Sequence, residues 1–225
     1  MRRINIAIDG PSAAGKSSIS AMLAEKYGYI HLDTGAMYRC LGLNALRSGV
    51  SDQDEEALCR LLAETEIELH TDGSVYMNGE DVSKAIRADE VSMLASNVSK
   101  WKNVRAEMVR RQQKMTEAKG FIMDGRDIGT VVLTDAEVKI FLTASAEARA
   151  KRRWLQNQAA GITGHTLEEL RDEIARRDEQ DSGRENSPLK QAEDAVLVDS
   201  SDLSKEEVVE IISALVDRAC AEEAS

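Results

Sequence analysis

Residues 4–18 read INIAIDGPSAAGKSS and decide the fold of this 225-residue chain. The apolar run over residues 4–9 predicts a short buried strand. Residues 10–17 then match the pattern G-x-x-x-x-G-K-[ST] at every position. Apolar residues at helical spacing follow over 17–27, and Gly28 closes that helix. Strand, glycine-containing turn and helix in this order predict a phosphate-binding loop, or P-loop.

The chemistry of such a loop explains its spacing. Glycines let successive backbone N–H groups point at phosphate oxygens, and the following helix adds the positive end of its dipole. Lys16 can reach the β- and γ-phosphates, and the Ser17 hydroxyl can ligate Mg²⁺. The predicted ATP-binding residues of the loop are Gly10, Pro11, Ser12, Ala13, Ala14, Gly15, Lys16, Ser17 and Ser18.

The motif alone does not separate kinases, GTPases and ATPases. The Asn-Lys-x-Asp sequence typical of guanine recognition is absent from the chain. Motor and transporter ATPases usually carry Asp-Glu after a long apolar strand, whereas the comparable strand here ends in Asp124-Gly125-Arg126-Asp127. This difference favours a small-molecule kinase.

Composition excludes several other classes. Apolar residues make up 42% of the chain and charged residues 31%, as in ordinary globular proteins. The net charge of -11 disfavours nucleic acid and membrane partners but leaves a small anion in a basic pocket possible. The three scattered cysteines suggest neither zinc nor disulfides, and the apolar N-terminal stretch is too short for a signal peptide. We expect a cytoplasmic monomer.

Strands alternate with helices along most of the chain, which predicts an α/β fold with a doubly wound, mainly parallel sheet. Strands are predicted at 29–33 and 138–143, buried strands at 121–123 and 196–198, and helices at 35–47 and 102–119. Two long polar helices flank a hinge at 161–164. Capping boxes, in Thr166 with Glu169 and Ser204 with Glu207, predict the starts of the second of these and of the last helix.

A different pattern interrupts this alternation. Residues 66–69 alternate polar and apolar, the turn Thr71-Asp72-Gly73 follows, and 74–77 supply a partner strand before the turn Asn78-Gly79. We therefore predict a small antiparallel insert over 65–100. The core comprises 1–64 and 101–225.

Arginines near predicted strand ends or helix starts suit a phosphorylated acceptor, because their planar forks bind phosphate oxygens in pairs. The candidates are Arg39, Arg126, Arg177 and Arg184. The alternative for each is an ordinary surface salt bridge. Asp124 ends a buried strand and is the candidate for holding Mg²⁺ through water, although it could instead cap the next turn.

The sequence closely resembles the bacterial cytidylate kinases, essentially from end to end. Besides the P-loop, the resemblance rests on DTGAMYR at 33–39, NGEDV at 78–82 with Ile86-Arg87, and Val104-Arg105 with Arg110-Arg111-Gln112. It also rests on DGRDIGT at 124–130 and on residues 177–184. In that family the insert belongs to the CMP-binding domain, and a helical lid, here at about 150–184, closes over ATP. The implied fold is a three-layer P-loop kinase.

The resemblance also implies roles for single residues. Ser96, Arg105 and Asp127 correspond to residues that read the base, Asp181 to one that binds the sugar hydroxyls, and Thr34 stands where relatives often have Ser. Without the family match, Ser96 would be read as an ordinary helix-surface serine. Arg149 and Arg153, with Arg152 between them, correspond to lid arginines over the ATP phosphates, although a solvated run of charge is the alternative. Gln180 departs from the pattern, since some members carry Arg there.

The implied activity is phosphorylation of CMP and dCMP by ATP with Mg²⁺, by direct in-line transfer. Lys16, Asp124 and Arg126 are the implied catalytic residues. Two alternatives stay open from the residues: a kinase for another small acceptor, such as UMP or a non-nucleotide metabolite, and a nucleotide-sensing module without transfer.

Overall fold

A computed structural model describes residues 2–70, 72–159 and 161–222. The described strands are β1 (Ile6–Asp9), β2 (Ile30–Asp33), β3 (Ile67–Leu69), β4 (Val75–Met77), β5 (Glu80–Asp81), β6 (Phe121–Gly125), β7 (Val138–Thr143) and β8 (Val196–Asp199). The described α-helices are α1 (Lys16–Tyr27), α2 (Thr34–Ser48), α3 (Glu55–Glu64), α4 (Asp89–Val98), α5 (Lys102–Thr116), α6 (Ala146–Ala159), α7 (Leu167–Ser182) and α8 (Lys205–Glu222).

The chain divides into two compact units. The first comprises the described residues up to 29 and from 119 onward, and the second comprises the described residues of 30–118. The predicted insert at 65–100 falls within the second unit. Its assignment as a CMP-binding domain stays a prediction.

Parallel strands form the centre of the first unit, in the order β6-β1-β7-β8. β1 lies between β6 and β7, with Ile8 opposite both Asp124 and Ile140. Helices α1 and α8 pack on each other and supply Leu23 and Ile212 to the core beside these strands. Asp9, the last residue of β1, pairs with Gly125, the last residue of β6. The segments that follow both strands therefore leave the same edge of the sheet, where doubly wound folds bind ligands.

β8 corrects one prediction. Its position and parallel pairing with β7 agree with the sequence, but it is not a buried strand. Val196 is 42% exposed and Leu197 55% exposed, and only Val198 is buried. β8 ends the strand order of this unit, so the apolar run of an edge strand was mistaken for that of a central one.

The second unit contains a three-stranded antiparallel sheet in the order β3-β4-β5 and the helices α2 to α5. The turn between β4 and β5 is formed by Asn78 and Gly79, both with positive φ (52° and 80°), as a two-residue hairpin turn requires. β3 and β4 pair as predicted, with Leu69 opposite Val75. Thr71, in the predicted turn between them, lies outside the described residues. The sequence analysis predicted no bounds for helices α3 and α4.

Side-chain caps define several helix starts, as the local sequence dictates. Asp33 accepts a hydrogen bond from the backbone of Ala36 at the start of α2. Thr166 and Glu169 form the predicted capping box of α7. Ser204 and Glu207 form the second box before α8.

Within the described part of the chain, no helix is both long and apolar enough to cross a membrane.

Candidate active site

The loop between β1 and α1 has the backbone that a phosphate cradle requires. Gly10 has φ 150°, and a Cβ there would lie 1.9 Å from the carbonyl oxygen of Leu142, so only glycine fits. Ala13 has φ 59°, an unfavourable region for a residue with a side chain. Strain of this kind persists where the surroundings impose it, often at functional sites. Gly15, with φ 95°, begins α1 as its N-cap.

Lys16 is buried within this loop. Its Nζ donates hydrogen bonds to the carbonyl oxygens of Gly10 at 2.7 Å and Pro11 at 2.8 Å. Burial, together with the positive charges of Arg126 and Arg177, lowers the pKa of Lys16 to about 7, although Asp124 and Asp9 oppose the shift. A bound phosphate would offset both the burial and the nearby positive charges, and would therefore stabilise the charged form of Lys16.

Ser17 and Asp124 meet beside the loop. The Ser17 hydroxyl donates to Oδ2 of Asp124 at 2.8 Å, and Asp124 is buried in β6. A hydroxyl and a carboxylate are both oxygen ligands of the type that Mg²⁺ accepts, the rest of its shell coming from waters and phosphates. The pair thus fits the predicted metal site. No group of three or more His, Cys, Asp or Glu side chains among the described residues could hold a metal ion.

Arg126 and Arg184 converge on one carboxylate. Arg126 Nε donates to Oδ2 of Asp181 at 2.6 Å, and Arg184 Nη2 lies 2.5 Å from Oδ1 of the same residue. Burial alone would raise the pKa of Asp181, but Arg126 and Arg184, with Arg177 adding its charge, hold it below the ordinary value. These two arginine side chains, 18% and 10% exposed, are therefore ion-paired to a carboxylate that is itself buried.

The arginines of α6 face inward. Arg149 is buried and donates to the carbonyl oxygens of Ser12 at 3.1 Å and Ala144 at 2.9 Å. Arg152 donates to the backbone and hydroxyl of Ser200, and to the carbonyl of Ala14 at 3.4 Å. Two of the three predicted lid arginines thus touch the P-loop backbone, which rules out the solvated-charge alternative for them. The third, Arg153, is half-buried.

Four other predicted residues belong to the second unit, and Asp127 is buried in the first. Thr34 is buried at the first position of α2, and Arg39 on the same helix forms an ion pair with Asp33 at 2.6 Å. Arg105 on α5 is buried, and its guanidinium carbon lies 5.7 Å from the centre of the Tyr38 ring, within cation–π range. Ser96 lies half-buried on α4.

Three carboxylates of the site were not predicted. Asp178 accepts hydrogen bonds from the backbone N–H of Ser12 at 3.1 Å and from Arg149 at 2.5 Å. Asp33 balances Arg39. Asp9 accepts hydrogen bonds from the segment that follows Asp127. The only available signal for Asp178 was its spacing, since it lies one helical turn before Asp181.

Comparison with known proteins decides the family. A family model described as cytidylate kinase matches residues 6–218. The chain belongs to the cytidylate kinase family. It is 52% identical over 213 residues to the cytidylate kinase of Caldicellulosiruptor bescii, covering 93% of this chain and 94% of that protein. It is 52% identical over 220 residues to the cytidylate kinase of Bacillus subtilis, covering 96% and 98%.

The solved structures agree on the fold alone. An uncharacterized protein from Eubacterium ventriosum superimposes with a TM-score of 0.55 at 11% identity, covering 96% of this chain and 99% of that one. Family membership confirms the predicted P-loop kinase fold and places the chain among the nucleoside monophosphate kinases, which are phosphotransferases. The GTPase and transporter readings are thereby excluded.

Proposed function

We propose that this cytidylate kinase family member transfers the γ-phosphoryl group of ATP directly to CMP or dCMP, giving ADP with CDP or dCDP. One observation carries the proposal: the P-loop with Lys16 follows β1 and Arg126 follows β6 at the same edge of the sheet, where Asp9 pairs with Gly125 and Ser17 donates to Asp124 at 2.8 Å. Two cationic groups that repel each other in the free protein are what a pair of adjacent phosphates would stabilise.

The P-loop holds the donor in this proposal. Lys16 exchanges its bonds to loop carbonyls for the β- and γ-phosphates, and backbone N–H groups of residues 13–18 point at the remaining oxygens. Arg149 braces the loop from the carbonyl of Ser12, and Arg152 from that of Ala14. Arg149 and Arg153 are the proposed lid contacts to ATP.

The acceptor phosphate belongs with the arginines. Arg126 and Arg184 share one carboxylate, so two guanidinium groups are already held together where a phosphate could bind, and Arg177 adds charge at the same place. Arg39 is a further proposed ligand of the acceptor phosphate. Asp181 would bind the sugar hydroxyls with the acceptor capacity that its ion pairs leave.

Base selection follows from hydrogen bonding. Cytosine offers an N4 donor, to which a carboxylate such as Asp127 is matched. Uracil presents an oxygen at that place, so two acceptors would face each other, and each unpaired buried polar group costs about 1–3 kcal/mol. Ser96 and Arg105 are the proposed partners of the remaining base atoms, and Thr34 adds a nearby hydroxyl. The 65–100 insert is accordingly the proposed CMP-binding segment.

Transfer needs no covalent intermediate and no general base, because the acceptor phosphate is ionised near neutral pH. The catalytic contribution of the chain is positioning and neutralisation of charge by Lys16 and Arg126. Mg²⁺, held by Ser17 and through water by Asp124, supplies further neutralisation when bound. Inward-facing arginines on the lid helix exclude water that would otherwise hydrolyse ATP.

An acceptor panel tests the proposal. ADP release is measured with ATP and Mg²⁺ against CMP, dCMP, UMP, AMP and shikimate as acceptors. We expect CMP and dCMP to be phosphorylated with kcat/KM at least about tenfold above UMP, in line with one mismatched hydrogen bond. Preference for another member of the panel would refute the proposed acceptor. ADP release that no acceptor stimulates would refute transfer.

A further inference from the structure

The carboxylate of Asp9 joins the P-loop to the segment after β6. Oδ1 accepts a hydrogen bond from the backbone N–H of Ile128 at 2.7 Å, and Oδ2 accepts one from Gly129 at 2.8 Å. Both oxygens of one side chain thus bind consecutive amides 119 and 120 residues away. These amides open the π-helical turn Ile128–Val132, directly after Arg126 and Asp127.

The surroundings of this contact are closely packed. Asp9 is 4% exposed. A Cβ on Gly129 would lie 3.4 Å from Oδ2 of Asp9 and 3.2 Å from Cδ of Lys139, so the segment lies in van der Waals contact with the carboxylate and with the lysine side chain. Burial, with the nearby charge of Asp127, raises the pKa of Asp9 to about 6, while the two backbone hydrogen bonds and Lys16 lower it. Burial of this carboxylate costs free energy, and its two backbone hydrogen bonds offset part of that cost.

The position of Asp9 in the chain shows which two segments its hydrogen bonds join. Asp9 is the last residue of β1 and precedes Gly10, the first residue of the cradle. It pairs in the sheet with Gly125, which precedes Arg126. One side chain therefore fixes the start of the loop proposed to hold ATP to the segment that carries two residues proposed to hold the acceptor.

We propose that Asp9 is a positioning residue, which sets Arg126 and Asp127 against the acceptor by holding the amides of Ile128 and Gly129. This inference rests on the proposed function, since it assumes that the Arg126-Asp127 segment meets the acceptor. Asp9 touches neither substrate. Its effect is carried by backbone placement.

Asp9→Asn tests the proposal, because an amide of the same size can accept only one of the two N–H groups and turns its own N–H toward the other. Asn5→Ala is the matched control. Asn5 is also buried, and its Oδ1 accepts a backbone hydrogen bond from Phe121, at the opposite end of the same strand pair. Steady-state constants for CMP and ATP, and backbone amide exchange at Ile128 and Gly129, are measured for both variants.

For Asp9→Asn we expect the KM for CMP to rise about tenfold or more and by a larger factor than the KM for ATP, and exchange at Ile128 and Gly129 to accelerate. Asn5→Ala should lower the melting temperature without these changes. Equal shifts in both KM values, or exchange at the two amides no faster than in Asn5→Ala, would overturn the inference. If the unmodified protein does not phosphorylate CMP, the proposed function fails, and the exchange rates alone decide whether Asp9 holds the segment.

Discussion

Arg126 Nε and Oδ2 of Asp181 lie 2.6 Å apart, which joins the end of β6 to helix α7 across 55 residues of sequence. Arg184 binds the other oxygen of the same carboxylate at 2.5 Å. Both arginines are therefore held in place before any acceptor arrives. Preorganised guanidinium groups bind phosphate with less loss of side-chain entropy than free ones.

Replacing Asp181 by Asn should remove the negative charge that the largely buried side chains of Arg126 and Arg184 share. We expect the free energy of unfolding to fall by about 3 kcal/mol and the KM for CMP to rise more than that for ATP. Urea unfolding and steady-state kinetics measure the two effects. The exposed pair of Arg60 with Glu56 on α3 provides the control, because Glu56→Gln should change neither quantity. A destabilised variant with an unchanged KM for CMP would contradict the role proposed for this cluster.

The same carboxylate predicts a pH dependence. Since the pKa of Asp181 is held below its ordinary value in the fold, its stabilisation is fully present above the unfolded value near 4 and is lost as the pH falls through the folded value. Unfolding at pH 3 to 5 should therefore separate the unmodified protein from Asp181→Asn, with the difference shrinking toward acid. A difference that increased toward acid would show that the fold raises the pKa of Asp181 instead of lowering it.

The lowered pKa of Lys16 predicts a second pH dependence, which concerns ATP affinity and falls on the alkaline side. Its pKa of about 7 in the free protein means that the lysine is largely neutral above pH 8, and bound phosphates must restore its proton. The affinity for ATP should thus decrease as the pH rises from 7 to 9, by at most about tenfold per pH unit. Isothermal titration calorimetry should show the decrease in the unmodified protein and not in Lys16→Met. If ATP affinity decreased equally with pH in both proteins, a group other than Lys16 would be responsible for the decrease.

Replacing Arg149 should raise the KM for ATP more than replacing an exposed arginine of the next helix, α7. Arg149→Met removes hydrogen bonds to Ser12 and Ala144 and leaves Asp178 without its counter-charge. We expect the KM for ATP to rise about tenfold or more. Arg171→Met is the control, because Arg171 lies on α7 with 44% of its side chain exposed and pairs only with exposed carboxylates in the described part of the chain. Similar effects of both substitutions would indicate a loss of general positive charge.

Much of this architecture could be predicted from the sequence because its signals are local. The motif at 10–17, the capping box at Thr166 and the turn at Asn78-Gly79 each specify a backbone geometry within a few residues. Leu197 was misjudged because an apolar run does not reveal whether a strand has one neighbour or two. Asp9 and Asp178 were missed because the backbone amides that they bind lie 119 and 166 residues away and leave no mark in the sequence.

The most direct test of the central claim follows both products of one reaction. ATP, CMP and Mg²⁺ are mixed with the protein, and ³¹P NMR records the phosphorus signals of ADP and CDP over time. Equal amounts of ADP and CDP should appear with the unmodified protein, and neither should appear with a folded Lys16→Ala variant. ADP that accumulates with inorganic phosphate and without CDP would contradict transfer between two bound nucleotides.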